Sequence, residues 1–196
     1  MKTITAIATL GLSLSLVNPI YASDDESSKF KRKPKAREAV AMVVSCTDNE
    51  VRGTAFLREE PSEEGVKEID ITLVVKGLTP GKHAVHVHER GLCEAETRCG
   101  SAGGHFDPGP ASFSSPDGNH PFHLGDLNNI DINKLGFGVL KVKTTRFTLT
   151  EGPISVLDDD GSAFIIHTLE DTYCPDGAVA ACAGGTREAC AVIVPQ

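Results

Sequence analysis

Beyond its first 22 residues the chain has no apolar run long enough to cross a lipid bilayer, which argues against a membrane-spanning domain. It also has no excess of basic residues. Residues 23–196 carry 18 Lys and Arg against 27 Asp and Glu, and the resulting net charge of −9 argues against nucleic-acid binding. No stretch has a helical period, which leaves a soluble fold built from strands.

The N-terminal segment 1–22 has the layout of a secretory signal peptide. Lys2 precedes the apolar run from Ile4 to Ile20, which ends at Tyr21 and Ala22. A membrane anchor is the alternative, but polar residues and a proline interrupt the run. We therefore expect cleavage near Ala22 and an exported protein, either periplasmic or extracellular.

Residues 23–38 form a polar segment in which six basic residues follow three acidic ones. Such a charged run predicts a flexible arm, because it has too little apolar surface to pack against a core. Attachment of the arm to an anionic surface or polysaccharide is the alternative. The folded domain is predicted over residues 39–196.

In this domain short apolar segments alternate with turn residues, which is typical of an all-β sandwich or barrel. The predicted strands are Val40–Cys46, Val51–Arg58, Val66–Lys76, His83–His88, Asp126–Ile132, Phe137–Thr145, Ala163–His167 and Ala189–Val194. Two longer stretches, residues 89–123 and 169–185, interrupt the rhythm. Long loops in compact domains usually carry function, so we expect them to form the site.

The histidines are concentrated in one stretch. Six of the seven lie between His83 and Asp126, and the seventh is His167. Side chains on a strand alternate between its two faces, so His86 and His88 would point to the same side. Two neighbouring imidazoles on a rigid strand form half of a metal site.

A second cluster of metal-binding side chains is spaced three residues apart, at His120, His123 and Asp126. A tight bend in this Pro- and Gly-rich segment can bring them together. Imidazole suits copper or zinc, and a carboxylate added to histidines is a known zinc set. A lone histidine is usually a surface or hydrogen-bonded core residue, and His83 can be one. Several clusters in one short segment instead predict a metal centre.

Four motifs resemble those of the copper/zinc superoxide dismutases. They are His86-Val87-His88-Glu89, Cys99-Gly100-Ser101-Ala102-Gly103-Gly104-His105-Phe106-Asp107-Pro108, His123-Leu124-Gly125-Asp126-Leu127 and Gly185-Thr186-Arg187-Glu188-Ala189-Cys190-Ala191-Val192-Ile193. The resemblance extends from Val40 to Val194. It implies an eight-stranded Greek-key β-barrel with two long loops that form the walls of the active site.

The resemblance also implies the metal ligands. Copper would be bound by His86, His88, His105 and His167, and zinc by His105, His120, His123 and Asp126. This division suits the metals, because four imidazoles suit Cu(II), whereas three histidines and a carboxylate complete a tetrahedral zinc site. His105 would bridge both metals and act catalytically by accepting a proton. On its own, His167 could instead be a core histidine at the end of a buried strand.

One spacing departs from the family. A zinc histidine usually lies several residues earlier, near Phe113, which cannot coordinate a metal. The segment from His120 to His123 instead resembles some extracellular members, in which only two residues separate the two zinc histidines. The alternative is that His120 is an exposed loop residue and zinc is weakly bound.

Two further residues have roles in the resemblance. Asp171 lies where the family has an aspartate that links a copper histidine to a zinc histidine, here His86 and His120. Arg187 would hold superoxide beside copper, since a guanidinium stays charged and offers several donors to a small anion. The alternatives are a solvated loop aspartate and a surface arginine.

Six cysteines in an exported chain predict disulfides rather than free thiols, and they argue against a thiolate metal site. The resemblance implies a Cys99–Cys190 bridge between the metal loop and the last strand. Cys174 and Cys182 could then close the second long loop, which leaves Cys46 and Cys93 as the third pair. Fifteen connectivities are possible, so the resemblance supports only the first bridge.

These observations predict a superoxide dismutase that converts superoxide to dioxygen and hydrogen peroxide outside the cytoplasm. A non-catalytic copper- and zinc-binding module of the same fold is the first alternative, and a structural surface protein anchored by its basic arm is the second. Residues 175–181 lack the lysine and glutamates common in the family's second loop. Arg90 and Pro195 replace apolar interface residues, so either a monomer or a homodimer is compatible with the sequence.

Overall fold

Alternating burial along the strands explains how this chain forms a sheet with one face against a core. The computed structural model describes residues 36–47, 49–61, 65–109, 120–177 and 179–196, so the predicted signal peptide and residues 23–35 of the arm lie outside the described residues. In the strand Lys67–Lys76, Ile69, Ile71 and Leu73 are buried and Asp70 is exposed. The predicted period-two pattern is therefore present.

Nine strands lie in the described part of the chain. They are β1 (Arg37–Ser45), β2 (Arg52–Pro61), β3 (Lys67–Lys76), β4 (Gly81–His83), β5 (Val85–His88), β6 (Ile130–Ile132), β7 (Phe137–Thr144), β8 (Ala163–His167) and β9 (Arg187–Pro195). Arg37 and Glu38 pair with Glu59 and Arg58 of β2, so they belong to the sheet and not to the predicted arm. Among the described residues no helix is long and apolar enough to span a membrane.

The strands pair in the order β4-β6-β7-β3-β2-β1-β9-β8-β5, and every pair between neighbouring strands is antiparallel. The two end strands of this order, β4 and β5, follow each other in the chain, so the sheet is a nearly closed barrel. Long connections bring β7 beside β3 and β9 beside β1, as in a Greek key. The all-β barrel predicted from the sequence is confirmed.

The count of eight strands was wrong by one. The predicted strand His83–His88 is divided at Ala84, because β4 pairs with β6 whereas β5 pairs with β8. At the division, Ala84 N donates to Leu169 O at 2.8 Å, and His167 N donates to Ala84 O at 2.9 Å. The chain therefore passes from one end of the sheet order to the other at this residue.

The one disulfide implied by the resemblance, Cys99–Cys190, is not formed, and the pair left over from it is not formed either. Cys99 is bonded to Cys46 and Cys190 to Cys93, so the predicted Cys99–Cys190 and Cys46–Cys93 bridges were wrong. The Cα atoms of the observed pairs are 5.4 and 5.7 Å apart, which is within the range that a disulfide spans. All four cysteines lie in or against one small buried cluster, where sequence spacing alone cannot select the partners. Cys174 is bonded to Cys182 and closes the second long loop locally, a pairing that the sequence left open.

Candidate metal centre

The four predicted copper ligands converge in one buried cluster. β5 carries His86 and His88, His167 ends β8, and His105 joins His88 through an isolated antiparallel bridge. One ring nitrogen from each of the four lies within 4.8 Å of the others. The two valines of β5 belong to the hydrophobic core, so alternation along the strand directs both of its histidines to the opposite side.

Hydrogen bonds on the outer side of this cluster fix the orientation of each ring. His88 Nδ1 donates to the carbonyl oxygen of Gly103, and His167 Nδ1 donates to that of Gly185, both at 2.9 Å. His86 Nε2 lies 3.0 Å from Asp171 Oδ2 and donates to it. A histidine whose outer nitrogen carries the proton presents an unprotonated nitrogen on its other side, which is the form that binds a metal.

The inner nitrogens face one another. His86 Nδ1 and His167 Nε2 are 3.2 Å apart, although the outer nitrogen of each ring already donates a hydrogen bond, to Asp171 and Gly185 O. His88 Nε2 and His105 Nε2 are buried and have no hydrogen-bond partner among the described residues. A buried polar atom without a partner is costly, whereas converging imidazole lone pairs suit a copper ion. The donor set therefore fits the metal predicted for it.

Burial favours the neutral form of three of the four copper-side histidines. The pKa of His88 and that of His167 lie well below 6.5, first because of burial and then because of repulsion from neighbouring histidines and Arg187. Burial also lowers the pKa of His105 to about 4, although a hydrogen bond with Asp126 partly offsets the effect. At pH 7 the lone pairs are thus available, as metal binding requires.

The carboxylate of Asp126 contacts all three histidines predicted to bind zinc. Its Oδ1 lies 2.7 Å from His105 Nδ1, and its Oδ2 lies 3.1 Å from His120 Nδ1 and 3.2 Å from His123 Nδ1. The ring nitrogens of His120 and His123 that face Oδ2 form no hydrogen bond of good geometry with any described residue. Three imidazoles that converge on one carboxylate, two of them with an unpartnered nitrogen facing it, fit a tetrahedral zinc ion.

His86 also lies close to this second group. His86, His105, His120 and Asp126 each offer a ligand atom within 4.8 Å of the others, and His123 is not part of that set. The ring centroid of His86 is 4.1 Å from that of His105, which places it between the two groups. Because its Nε2 donates to Asp171, we retain His86 in the copper set and His123 in the zinc set, and both assignments stay predictions.

Asp171 connects the two groups. It accepts from His86 on the copper side, and both of its carboxylate oxygens lie 2.8 Å from His120 Nε2 on the zinc side. These are the two contacts predicted for it. Burial alone would raise the pKa of Asp171, but hydrogen bonds with His120, His86 and the Tyr173 backbone outweigh burial and lower it.

His120 is buried rather than exposed, which contradicts the alternative reading of this residue. Burial disfavours its charged form, but hydrogen bonds and charge interactions with Asp126 and Asp171 outweigh burial and raise its pKa to about 9. Contacts with His105, His120 and His123 lower the pKa of Asp126 well below its ordinary range, although burial acts in the opposite direction. In the metal-free protein His120 is therefore protonated at pH 7, and a zinc ion has to displace that proton.

Arg187 reaches the copper side of the site and is only partly exposed. Its Nη1 donates to Cys99 O and its Nη2 to Gly103 O. The carbonyl of Gly103 also accepts from His88, so one backbone group joins the arginine to a predicted copper ligand. Burial lowers the pKa of Arg187, yet a guanidinium remains charged at any physiological pH.

His83 lies outside the metal groups. Its Nδ1 is 2.7 Å from His167 O and its Nε2 is 2.9 Å from Thr79 O, so both ring nitrogens contact backbone carbonyls. It is buried and serves as a hydrogen-bonded core residue, as the sequence allowed.

Two residues near the site were missed from the sequence. Asn129 exchanges two hydrogen bonds with the backbone of Asp171, at 2.8 and 2.9 Å, and thereby fixes the aspartate that links the metal groups. Arg146 donates to the backbone carbonyls of His123 and Asp126 in residues 120–126, the zinc-side segment. A single asparagine or arginine next to a strand has no motif, so no sequence signal could have identified either.

Comparison with known proteins gives consistent matches. A family model described as copper/zinc superoxide dismutase matches residues 51–193. A Cu-Zn superoxide dismutase of Deinococcus radiodurans is 36% identical in an alignment of 153 residues that covers 72% of this chain and 76% of that protein. One of Drosophila tolteca is 45% identical over 121 residues, which are 61% of this chain and 96% of that protein.

Solved structures with the same fold include a SOD-like protein from Bacillus subtilis, with a TM-score of 0.61 and 26% identity over 79% of this chain and 97% of its own. The clock protein EA4 has a TM-score of 0.61 and 26% identity, and the match covers 80% of this chain and 92% of that protein. The region matched by the family model contains every predicted metal ligand together with Asp171 and Arg187, but not Cys46.

Proposed function

Because the chain belongs to the copper/zinc superoxide dismutase family, it is an oxidoreductase that acts on superoxide with copper and zinc, and we propose that its buried histidine cluster is the site of this reaction. Two superoxide anions and two protons give dioxygen and hydrogen peroxide. The observation that carries the proposal is the convergence of inner imidazole nitrogens, several without hydrogen-bond partners among the described residues, beside a partly buried arginine.

The two histidine groups differ in the metal that they suit. Copper would be held by His86, His88, His105 and His167, and zinc by His105, His120, His123 and Asp126. Copper supplies the one-electron redox change, and zinc, which is not redox-active, holds the zinc-side segment in place. The ring of His105 lies between the groups, with Nδ1 toward Asp126 and Nε2 toward the other copper-side histidines.

Arg187 and His105 have distinct roles toward the substrate. The guanidinium of Arg187, held by the carbonyls of Cys99 and Gly103, attracts and orients the superoxide anion. His105 Nε2 is buried and carries no described hydrogen bond, so it is the atom at which a proton can be held for the formation of peroxide.

We also infer that the protein works outside the cytoplasm, in the periplasm or the extracellular space, where it removes superoxide. The support comes from three disulfides, which together use all six cysteines. Disulfides form and persist in oxidising compartments and are rare in the cytosol.

The proposal is tested by metal analysis combined with an activity assay. We expect the purified protein to contain copper and zinc, to dismutate superoxide, to lose this activity after chelation and to regain it when both metals are restored. Copper and zinc at full occupancy without dismutation would instead support a metal-binding module of the same fold. Absence of stoichiometric metal would support the structural alternative.

A further inference from the structure

We propose that Arg146 is a positioning residue that holds segment 120–126 in the shape needed to bind zinc, an inference that rests on the proposed function. Its Nη1 group donates to Asp126 O at 3.1 Å and His123 O at 3.2 Å, and it lies 3.4 Å from Pro121 O. Two of these carbonyls belong to predicted zinc ligands. One side chain therefore contacts the backbone of the segment at three points.

The backbone of Arg146 is itself held in place by the core. It follows β7 by two residues, and its N–H donates to Thr144 Oγ1 at 3.2 Å. The next residue, Phe147, is fully buried and packs edge-to-face on Phe106, with ring centroids 6.4 Å apart. Phe106 follows His105, so the same packing supports the arginine and the histidine predicted to bridge the metals.

The zinc-side segment needs such a support because it is irregular. Three of the four predicted zinc ligands lie within these seven residues, so the convergence of their side chains depends on the loop backbone. Backbone hydrogen bonds attach the segment to the barrel at Gly125, which donates to Phe106 O and accepts from Val87 N, both at 2.8 Å. Arg146 adds an attachment on either side of Gly125, at His123 and Asp126.

A competing electrostatic effect acts in the opposite direction. A guanidinium near a divalent cation repels it, and this repulsion alone would weaken zinc binding. However, Arg146 contacts only backbone carbonyl oxygens of segment 120–126. The side chains of His120 and His123 instead converge on the carboxylate of Asp126. Charge-assisted hydrogen bonds to three carbonyls should outweigh a repulsion that acts through intervening backbone. If the hydrogen bonds dominate, removing Arg146 lowers the zinc affinity. If the repulsion dominates, removing Arg146 raises it.

The test is zinc binding by the metal-free protein with all three disulfides intact. We expect Arg146→Ala to raise the zinc dissociation constant by roughly 10- to 100-fold, the range seen when groups that orient metal ligands are removed. Arg146→Lys keeps the charge and part of the reach, and should lose less. Co²⁺ bound in place of zinc should show an altered visible spectrum in Arg146→Ala, because its absorption reports coordination geometry. Copper affinity should stay within about twofold of wild type, since Arg146 touches none of the copper-side histidines.

Lys143→Ala is the matched control. Lys143 lies near the end of β7, is also cationic, and pairs with Glu68 and Asp70 rather than with the zinc-side segment. Unchanged or tighter zinc binding by Arg146→Ala would overturn the proposal, as would an equal loss in Lys143→Ala or an equal loss of copper affinity.

Should Arg146→Ala fold poorly, hydrogen exchange in metal-free Arg146→Lys should be faster at the amides of Gly125 and Asp126 but unchanged in β3. Faster exchange throughout would mean that Arg146 only stabilises the fold. A wild-type protein that binds zinc but does not dismutate superoxide would contradict the proposed function and leave this inference intact.

Discussion

The carbonyl of Gly103 is the smallest unit that joins the two sides of the proposed site. It accepts hydrogen bonds from His88 and from Arg187, so the guanidinium proposed to attract superoxide and a predicted copper ligand share one anchor. Gly103 has a φ of +75°, and a Cβ at this position would lie 2.4 Å from the carboxylate of Glu89. Glycine is therefore favoured by the backbone conformation, and a side chain here would also displace the Glu89 carboxylate from its hydrogen bond with Gly104 N.

Arg187 should contribute a large share of the attraction, because the chain as a whole is acidic and the second long loop lacks the usual lysine. We expect Arg187→Ala to keep both metals and the fold but to slow dismutation roughly tenfold, which corresponds to about 1.4 kcal/mol of barrier. Raising the ionic strength should slow the wild type by screening this attraction, and should slow the variant less. Activity measured over a salt series with metal-loaded proteins tests both parts. A variant as fast as wild type, with the same salt response, would remove Arg187 from substrate guidance.

At the scale of elements, the strands were more predictable than the loops. An alternating apolar pattern predicted β3 to within one residue, and a short continuous apolar run predicted β8 without error. β9 begins two residues earlier than predicted, because Arg187 pairs with His167 across a bulge, which no pattern of apolar residues signals. In the first long loop two cysteines compete for partners, and their choice depends on the path of the loop in space.

The disulfide between the first loop and β1 has a direct connection to the site. Cys46 follows the last residue of β1, and its partner Cys99 supplies a carbonyl that orients Arg187. Cys99 and the preceding Arg98 both have positive φ values, 58° and 51°, in the left-handed region that ordinary residues seldom adopt. The Cys46–Cys99 disulfide attaches this turn to β1 and so holds its unfavourable backbone conformation in place.

We therefore expect the double variant Cys46→Ser/Cys99→Ser to lose about 2–4 kcal/mol of unfolding free energy and also to dismutate superoxide more slowly at unchanged copper content. The double variant Cys174→Ser/Cys182→Ser is the control, since its bridge closes a local loop, whereas the carbonyls that bind the Arg187 guanidinium belong to Cys99 and Gly103. Equal activity per copper in the two double variants would show that the Cys46–Cys99 bridge has no specific role in catalysis. Peptide mapping of the oxidised wild type should recover the Cys46–Cys99 and Cys93–Cys190 pairs, and recovery of Cys99–Cys190 would contradict the structure.

At the scale of the whole molecule, closure of the barrel assembles the site. β5 and β8 are neighbours at the end of the sheet order, and their pairing places His86 and His167 together although 81 residues separate them in the chain. The convergence of these histidines could be predicted because their order along the chain resembles that of the family, even though the spacing at His120 departs from it. Arg146, Asn129 and Glu59 could not be predicted, because their partners are mostly backbone groups in distant loops, and a backbone group leaves no mark on residue identity.

Glu59 shows how such a contact stabilises the whole fold. This carboxylate in β2 is only 3% exposed, and it accepts from Leu149 N at 2.6 Å, Thr150 N at 3.0 Å and Lys67 Nζ at 3.2 Å. It therefore ties the barrel wall to the connection between β7 and β8. Burial alone would raise the pKa of Glu59, but these hydrogen bonds and one from the Thr150 hydroxyl outweigh burial and lower it below its ordinary value of 4.5.

A lowered folded-state pKa means that the ionised carboxylate stabilises the native protein above about pH 4.5 and that this contribution is lost as the pH falls through the folded pKa. We expect the free energy of unfolding of Glu59→Gln, measured by urea unfolding at pH 7, to be about 1–3 kcal/mol lower than that of wild type, because a neutral amide replaces the charged acceptor. The difference should shrink steadily as the pH is lowered below 4.5. Metal-free protein must be used, so that acid release of metals does not contribute. Glu60→Gln, at an exposed neighbour on the same strand, is the control and should change stability little at any pH. A difference between Glu59→Gln and wild type that stayed constant from pH 7 to pH 3 would show that the ionisation of Glu59 does not stabilise the barrel.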